Sequence, residues 1–261
     1  MLNPAISIDL LRAVETAGLN ASAPPQQEML DGWLIRLSPG KAKRSRCINA
    51  LAQGRLPLAD MLARCRQAFE VAGLPLVLRL TPFTQPADLD RQLADLGWAF
   101  FDDTRVMLRP DMAGLPSSSL PAGCGLRPVS HAEYAQAVGQ LRGSSATEIS
   151  AHAERMRLAP VRYEGALLKR DDGSLLACGQ FVREDGWVGL YDILTVPAHR
   201  GQGLGRALCT SLLARAREQG GRSAYLQVGA DNLAARSLYA KLGFVEGYSY
   251  HYRTPDLASV Y

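Results

Sequence analysis

Arg200-Gly201-Gln202-Gly203-Leu204-Gly205 is the stretch best suited to chemistry. Its glycines follow an apolar, strand-like run, Tyr191 to Val196, and a turn at Pro197-Ala198-His199. Helical spacing begins directly after them. The first N–H groups of a helix have no partner inside it, and the helix dipole adds positive charge at that end. Such a turn therefore cradles an anion, phosphate above all. Glycine matters because a side chain would hold the ligand away from the backbone. Arg200 and Arg206 bring two cations to the same place. The spacing is Gly-x-Gly-x-Gly, so neither the Gly-x-Gly-x-x-Gly of a dinucleotide fold nor the Gly-Lys-Ser/Thr of a nucleotide P-loop is met.

Two further side chains could move protons. Asp192 stands in a strand, where aspartate is disfavoured, in an alternating row with Val188, Leu190, Leu194 and Val196. It is read as a base or an orienting group, and equally as a structural carboxylate bonded to a loop. Tyr239 carries a phenol that stays protonated at neutral pH and can donate; the plain alternative is a half-buried helix aromatic. Asp231 or Asn232 can cap the helix that carries Tyr239. The five cysteines are scattered without Cys-x-x-Cys spacing, which fits reduced thiols. Cys209 reads as a small core residue. His199 has no partner set for a triad or a metal, so no metal is expected.

These groups need elements to hold them. Leu204, Leu208 and Leu212 form one stripe of the helix after the glycines, which would pack on a sheet and aim the turn. A strand, Ala224 to Val228, and a second helix ending at Gly243-Phe244 follow. Upstream, the spacing predicts helices over 7–18, 58–71, 87–96, 131–142 and 150–158. Strands are predicted over 33–37, 47–51, 75–80, 98–108, 126–129, 165–170 and 175–183. Asp171-Asp172-Gly173 is a hairpin signal. The aromatic tail Tyr248, Tyr250, His251, Tyr252 reads as a closing strand. The basic run Lys41-Ala42-Lys43-Arg44 with Arg46 reads as a solvated hairpin tip, with contact to nucleic acid or an acidic cofactor as the alternative.

The order of elements repeats. At an offset of 146 residues Leu62 falls on Leu208, Leu80 on Leu226, Gly97 on Gly243 and Trp98 on Phe244. Pro110 to Gly123, rich in proline, serine and glycine, reads as a linker between the copies. In the first copy the glycine turn becomes Gly54-Arg55-Leu56-Pro57-Leu58-Ala59, which has lost two glycines.

Arg-x-x-Gly-x-Gly at Arg200 to Gly205, with Asn-x-x-Ala-x-x-Leu-Tyr-x-x-x-Gly-Phe from Asn232 to Phe244, resembles the GNAT superfamily of acyl-CoA-dependent N-acyltransferases. The resemblance covers roughly Leu126 to Arg253. It implies an α/β (α+β) chain of two GNAT-like lobes, each a mixed, mostly antiparallel twisted sheet flanked by helices. The expected division is a degenerate lobe over 1–110 that does not bind coenzyme A, a linker over 111–123 and an acetyltransferase domain over 124–261. It implies acetyl-CoA as acyl-donor substrate, held by the backbone of Leu194, Thr195 and Val196, by Arg200, Gly201, Gln202, Gly203, Leu204, Gly205 and Arg206, and by Asn232. Asp192 matches the strand position of a base or orienting group, and Tyr239 the general acid for the leaving thiolate. Ser144, Ser145 and Glu148 fall where the family shapes its acceptor side.

The expected reaction is direct acetyl transfer to a primary amine of a small molecule or peptide, with a base acting through water. The alternative is a non-catalytic acyl-CoA-binding sensor. Composition sets the remaining bounds. At 261 residues and 47% apolar content the chain can build a packed core. A net charge of +4 suits an acidic donor but implies no nucleic-acid partner. No leader or membrane-length apolar run is read, so a cytoplasmic protein is expected, and a homodimer stays open.

Overall fold

Helical and alternating patterns become seven α-helices and eleven strands among the residues described, 2–117 and 119–260, in the computed structural model. Met1, Tyr261 and Ser118, the last inside the segment read as a linker, lie outside the described residues. The first half runs α1 (Ile8–Ala21), β1 (Gln27–Leu30), β2 (Trp33–Arg36), β3 (Ile48–Ala50), α2 (Leu58–Val71), β4 (Leu78–Leu80), α3 (Leu89–Asp95) and β5 (Ala99–Arg109). The second runs β6 (Cys124–Val129), α4 (His131–Arg142), α5 (Ala146–Leu158), β7 (Arg162–Arg170), β8 (Leu175–Glu184) and β9 (Trp187–Thr195). It continues through α6 (Leu204–Glu218), β10 (Ser223–Gly229), α7 (Leu233–Lys241) and β11 (Val245–Thr254).

All strands join one mixed sheet in the order β1-β2-β3-β4-β11-β5-β10-β9-β8-β7-β6. Pairings are antiparallel except β3 with β4 and β9 with β10. Those two parallel pairs occupy matching places in the two halves. The helices match as well: α2 begins at Leu58 and α6 at Leu204, and β5 begins at Ala99 and β11 at Val245, 146 residues apart in each case. The two lobes exist, but their sheets are continuous because each closing strand crosses over. β5 lies between β10 and β11, and β11 in turn pairs with β4.

Alternation along the strands sends side chains to two faces. On one face Val188, Leu190, Leu226 and Phe181 meet Leu204, Leu208 and Leu212 of α6, as the leucine stripe requires. On the other, Tyr191, Val182, Tyr225 and the β11 tyrosines meet α1 and α4. A third cluster fills the first half beneath α2. The segment read as a linker is docked: Met112 is buried, and its N–H donates to the Arg222 carbonyl at 2.9 Å.

Three readings change. β1 (Gln27–Leu30) is a strand that the spacing does not predict. β4 begins at Leu78, and just before it the Val77 carbonyl accepts from the Ile48 N–H of β3 at 2.9 Å. α5 begins four residues before the spacing suggested, because Ser145 and Glu148 close a capping box: the Ser145 hydroxyl accepts from the Glu148 N–H, and the Glu148 carboxylate accepts from the Ser145 N–H at 2.8 Å.

Candidate active site

The parallel pair β9/β10 organises the site. Their register covers only Trp187–Leu190 against Ser223–Leu226, after which both strands continue unpaired to each other. A gap opens beside residues 191–195. On its other edge β9 remains bound to β8, and Val196 donates its N–H to the Leu176 carbonyl at 2.9 Å. Neighbouring residues of a strand point their N–H and C=O groups to opposite edges. Thr195 therefore presents its amide and carbonyl to the gap, and its carbonyl already meets Arg200 Nε at 3.5 Å.

β9 carries a bulge at the mouth of this gap. Cys178 faces Leu194 and Gln180 faces Tyr191, so one extra residue is accommodated on β9. Asp192 takes it up at φ +51°, in left-handed conformation. The simple alternation inferred for Asp192 stops here.

Beyond β9, one turn of 3-10 helix (Pro197–His199) leads into the glycines. Gly201 and Gly203 have φ of +78° and +76°, with open space where a side chain would stand. Their glycine requirement is thus one of backbone conformation. Gly203 is the N-cap of α6 and no side chain caps this end. The first intrahelical bond runs from Ala207 to Gly203 at 3.1 Å, leaving the N–H groups of Leu204, Gly205 and Arg206 for a ligand. Arg200, Gln202 and Arg206 are exposed around them. This is a cradle with free donors and nearby cations, and it fits a pyrophosphate.

Asn232 caps α7, its side-chain oxygen accepting from the Ala235 N–H at 3.1 Å. Tyr239, in the last turn of α7, is 7% exposed and packs edge-on against Phe244 with ring centres 6.1 Å apart. Burial pushes its phenol well above the ordinary tyrosine value, so it stays protonated.

On the other side of the sheet lies a cleft of about 640 Å³, including space open to solvent. Asp192 forms its floor. The Asp192 carboxylate meets Arg142 at 2.7 Å, the Gln180 amide at 2.7 Å and His152 Nε2 at 3.4 Å. Its backbone carbonyl accepts from the Tyr134 hydroxyl at 3.2 Å. Burial alone would raise this carboxyl; the Arg142 guanidinium and then His152 outweigh it and hold it well below the usual carboxylate range. Asp192 is a fixed negative charge.

Ser144 and Glu148 line the cleft, and the cap residue Ser145 does not. Arg142, His152 and Gln180 were missed, since α4, α5 and β8 bring them together from separate segments. The basic run was misread. It forms the tip between β2 and β3, but the tip packs onto the second lobe instead of standing in solvent: Lys41 Nζ donates to the Arg142 carbonyl at 3.2 Å, and Arg44 lines the cleft. Among the described residues no three of His, Cys, Asp or Glu gather as a metal-binding group, and no helix is long and apolar enough to cross a membrane.

Comparison with known proteins agrees with this geometry. The model of the Acetyltransferase (GNAT) family matches residues 137–244. An uncharacterized N-acetyltransferase of Bacillus subtilis, YobR, is 26% identical over 250 residues, covering 94% of this chain and 99% of its own. A GCN5-related N-acetyltransferase from Kribbella flavida superposes with a TM-score of 0.67 at 19% identity, covering 97% of this chain and 98% of its own. A tandem GNAT protein from the clavulanic acid biosynthesis pathway gives 0.59 at 20% identity, covering 75% and 68%. Residues 137–244 thus match the Acetyltransferase (GNAT) family, and the doubled fold of the whole chain is similar to that of solved GNAT structures, a tandem one among them.

Proposed function

We propose that the second lobe transfers an acetyl group from acetyl-CoA directly to a primary amine that enters through the Asp192 cleft. The observation that carries this reading is the bulge at Asp192. It lies where β9 parts from β10, so one short strand segment borders the donor gap on one side and the acceptor cleft on the other. Asp192 and Thr195 are three positions apart, on the order of 10 Å along a strand.

The pyrophosphate of the donor would sit on the free N–H groups at the start of α6, with Arg200 and Arg206 beside it. Each helix-end interaction contributes about 0.3–1 kcal/mol when exposed, so several must act together. The pantetheine arm would lie along the exposed edge of Leu194, Thr195 and Val196, with Thr195 supplying the free edge groups. The Asn232 oxygen is committed to its cap, which leaves its side-chain N–H₂ for the donor.

An alkyl ammonium must lose a proton before it can attack, at a cost of about 4 kcal/mol three pH units below its pKa. His152 is the imidazole in the cleft, its Nε2 3.4 Å from the Asp192 carboxylate, so the proton passes through water to this pair, with Asp192 as its charge partner. The amine nitrogen then bonds to the thioester carbon, the C–S bond breaks, and the nitrogen's second proton leaves through water to restore the Tyr239 phenol after it has protonated the thiolate. Tyr239 gives its phenolic proton to the departing thiolate. No covalent enzyme intermediate forms.

The division into 1–110, 111–123 and 124–261 belongs to the same reading, with the donor held by the second lobe alone. In the first lobe the carboxylate of Asp31 accepts from the N–H groups of Arg55 at 2.6 Å and Leu56 at 2.8 Å, just ahead of α2. The protein's own anion thus occupies the counterpart of the cradle. Thiol release from acetyl-CoA across a panel of amines tests the activity. Heat on titration with acetyl-CoA but no release with any amine would favour the sensor reading instead.

A further inference from the structure

We infer that the acceptor is an amine that also carries a carboxylate, and that Arg44 of the first lobe binds this carboxylate. The inference rests on the cleft being the acceptor site. Four cations line it, Lys41, Arg44, Arg142 and Arg155, against two carboxylates, Glu148 and Asp192. Both carboxylates are committed: Asp192 to Arg142, and Glu148 to the amide and hydroxyl of Ser145. Arg155 is nearly buried and gives its Nη1 to the Ala21 carbonyl at 3.1 Å and the Tyr163 hydroxyl at 2.5 Å. Lys41 reaches the Arg142 carbonyl.

Arg44 is left unsatisfied. Its guanidinium stands 5.5 Å from the centre of the Tyr191 ring, so it lies close to the residue that precedes Asp192. Nη1 makes one long bond to the Tyr250 hydroxyl, 3.4 Å. Nε is buried with no partner, and among the described residues no carboxylate pairs with this side chain. A buried N–H without an acceptor is costly, and a guanidinium edge takes a planar carboxylate through two parallel bonds. Arg44, His152 and Asp192 line the same cleft, so an amine received at Asp192 and His152 brings its carboxylate to the Arg44 guanidinium. An uncharged alkylamine would leave that edge bare.

The test follows thiol release from acetyl-CoA with ω-amino acids from glycine to 6-aminohexanoate, and with L-α-amino acids. Each is run beside the alkylamine that lacks its carboxylate. In the unmodified protein at least one acid should exceed its partner about ten- to a hundredfold in kcat/KM, mostly through KM. Arg44→Met should bring that ratio to within about twofold, and Arg44→Lys, which keeps the charge without the fork, should fall between. The ratio is the readout, because a general loss of fold or activity moves both members of a pair alike. Equal rates throughout the ladder, or a ratio that survives Arg44→Met, would overturn the inference. If acetyl-CoA binds but no amine is acetylated, the transfer reading fails separately. Calorimetric titration of the same pairs in the presence of coenzyme A then decides: heat with the acids alone supports the carboxylate site, and equal or absent heat refutes it.

Discussion

At the scale of single residues, the site depends on two groups whose environments push in opposite directions. Asp192 is held ionised by Arg142 and His152, so it offers a proton little affinity and much electrostatic support. Tyr239 is kept protonated by burial, as a donor must be. Tyr239→Phe should therefore lower kcat about tenfold or more while the acetyl-CoA dissociation constant stays within about twofold, since general acids typically contribute 10²–10⁴-fold. An unchanged kcat would remove the phenol from the mechanism. His152→Gln should cut kcat/KM by a similar factor while the acetyl-CoA dissociation constant stays within about twofold. An unchanged kcat/KM would mean that another group is the base. Asp192 was legible because a carboxylate is out of place in a strand. Its partners were not, because Arg142, His152 and Gln180 look like ordinary polar residues until the fold gathers them.

Among the elements, the glycine turn shows what a motif conceals. All three glycines read alike in the sequence, yet they differ physically. Gly201 and Gly203 need a left-handed backbone, whereas Gly205 sits in the first turn of α6 with its nearest neighbours at 3.5 and 3.6 Å from an added Cβ. Gly203→Ala should cost about 1–2 kcal/mol of stability, which lowers Tm by a few degrees in a chain this long, and should weaken acetyl-CoA binding as the amides lose their aim. Gly205→Ala should leave Tm nearly unchanged, because alanine is favoured in helix and the contact is ordinary. Thermal melts with and without acetyl-CoA separate the two. The start of α5 is a related case. Ser145-Ala146-Thr147-Glu148 carries the capping-box pattern, and reading it for caps before apolar spacing would have placed the helix correctly. β1 had no such signal: Gln27–Leu30 is a short, mostly exposed strand at the edge of the sheet, paired among the described residues with β2 alone.

For the whole molecule, the repeat was visible and the strand exchange was not, since register across 146 residues is a property of non-local pairing. Exchange has a consequence. A fragment of residues 124–261 would lack β5, which stands between β10 and β11, and should not fold alone; co-expression with residues 1–123 should restore soluble protein. Well-dispersed amide spectra from the isolated fragment would contradict this. The two lobes also share a buried polar node. Glu15 of α1 pairs with Arg79 of β4 at 2.5 and 3.0 Å, and accepts from the Tyr248 hydroxyl of β11 at 2.5 Å. Burial alone would raise the Glu15 carboxyl, but Arg79 and the Tyr248 bond prevail and lower it below its ordinary 4.5. A carboxyl with a depressed folded pKa adds stability that is fully present above the unfolded pKa and is lost as pH falls through the folded value. The protein should therefore hold its urea midpoint from neutrality to about pH 5 and lose stability progressively below about pH 4.5. Glu15→Ala, which leaves the Arg79 charge buried and unpaired, should cost about 3–5 kcal/mol at pH 7 and flatten the acid dependence. Parallel urea curves for the two proteins between pH 7 and pH 3 would show that this node does not hold the lobes together.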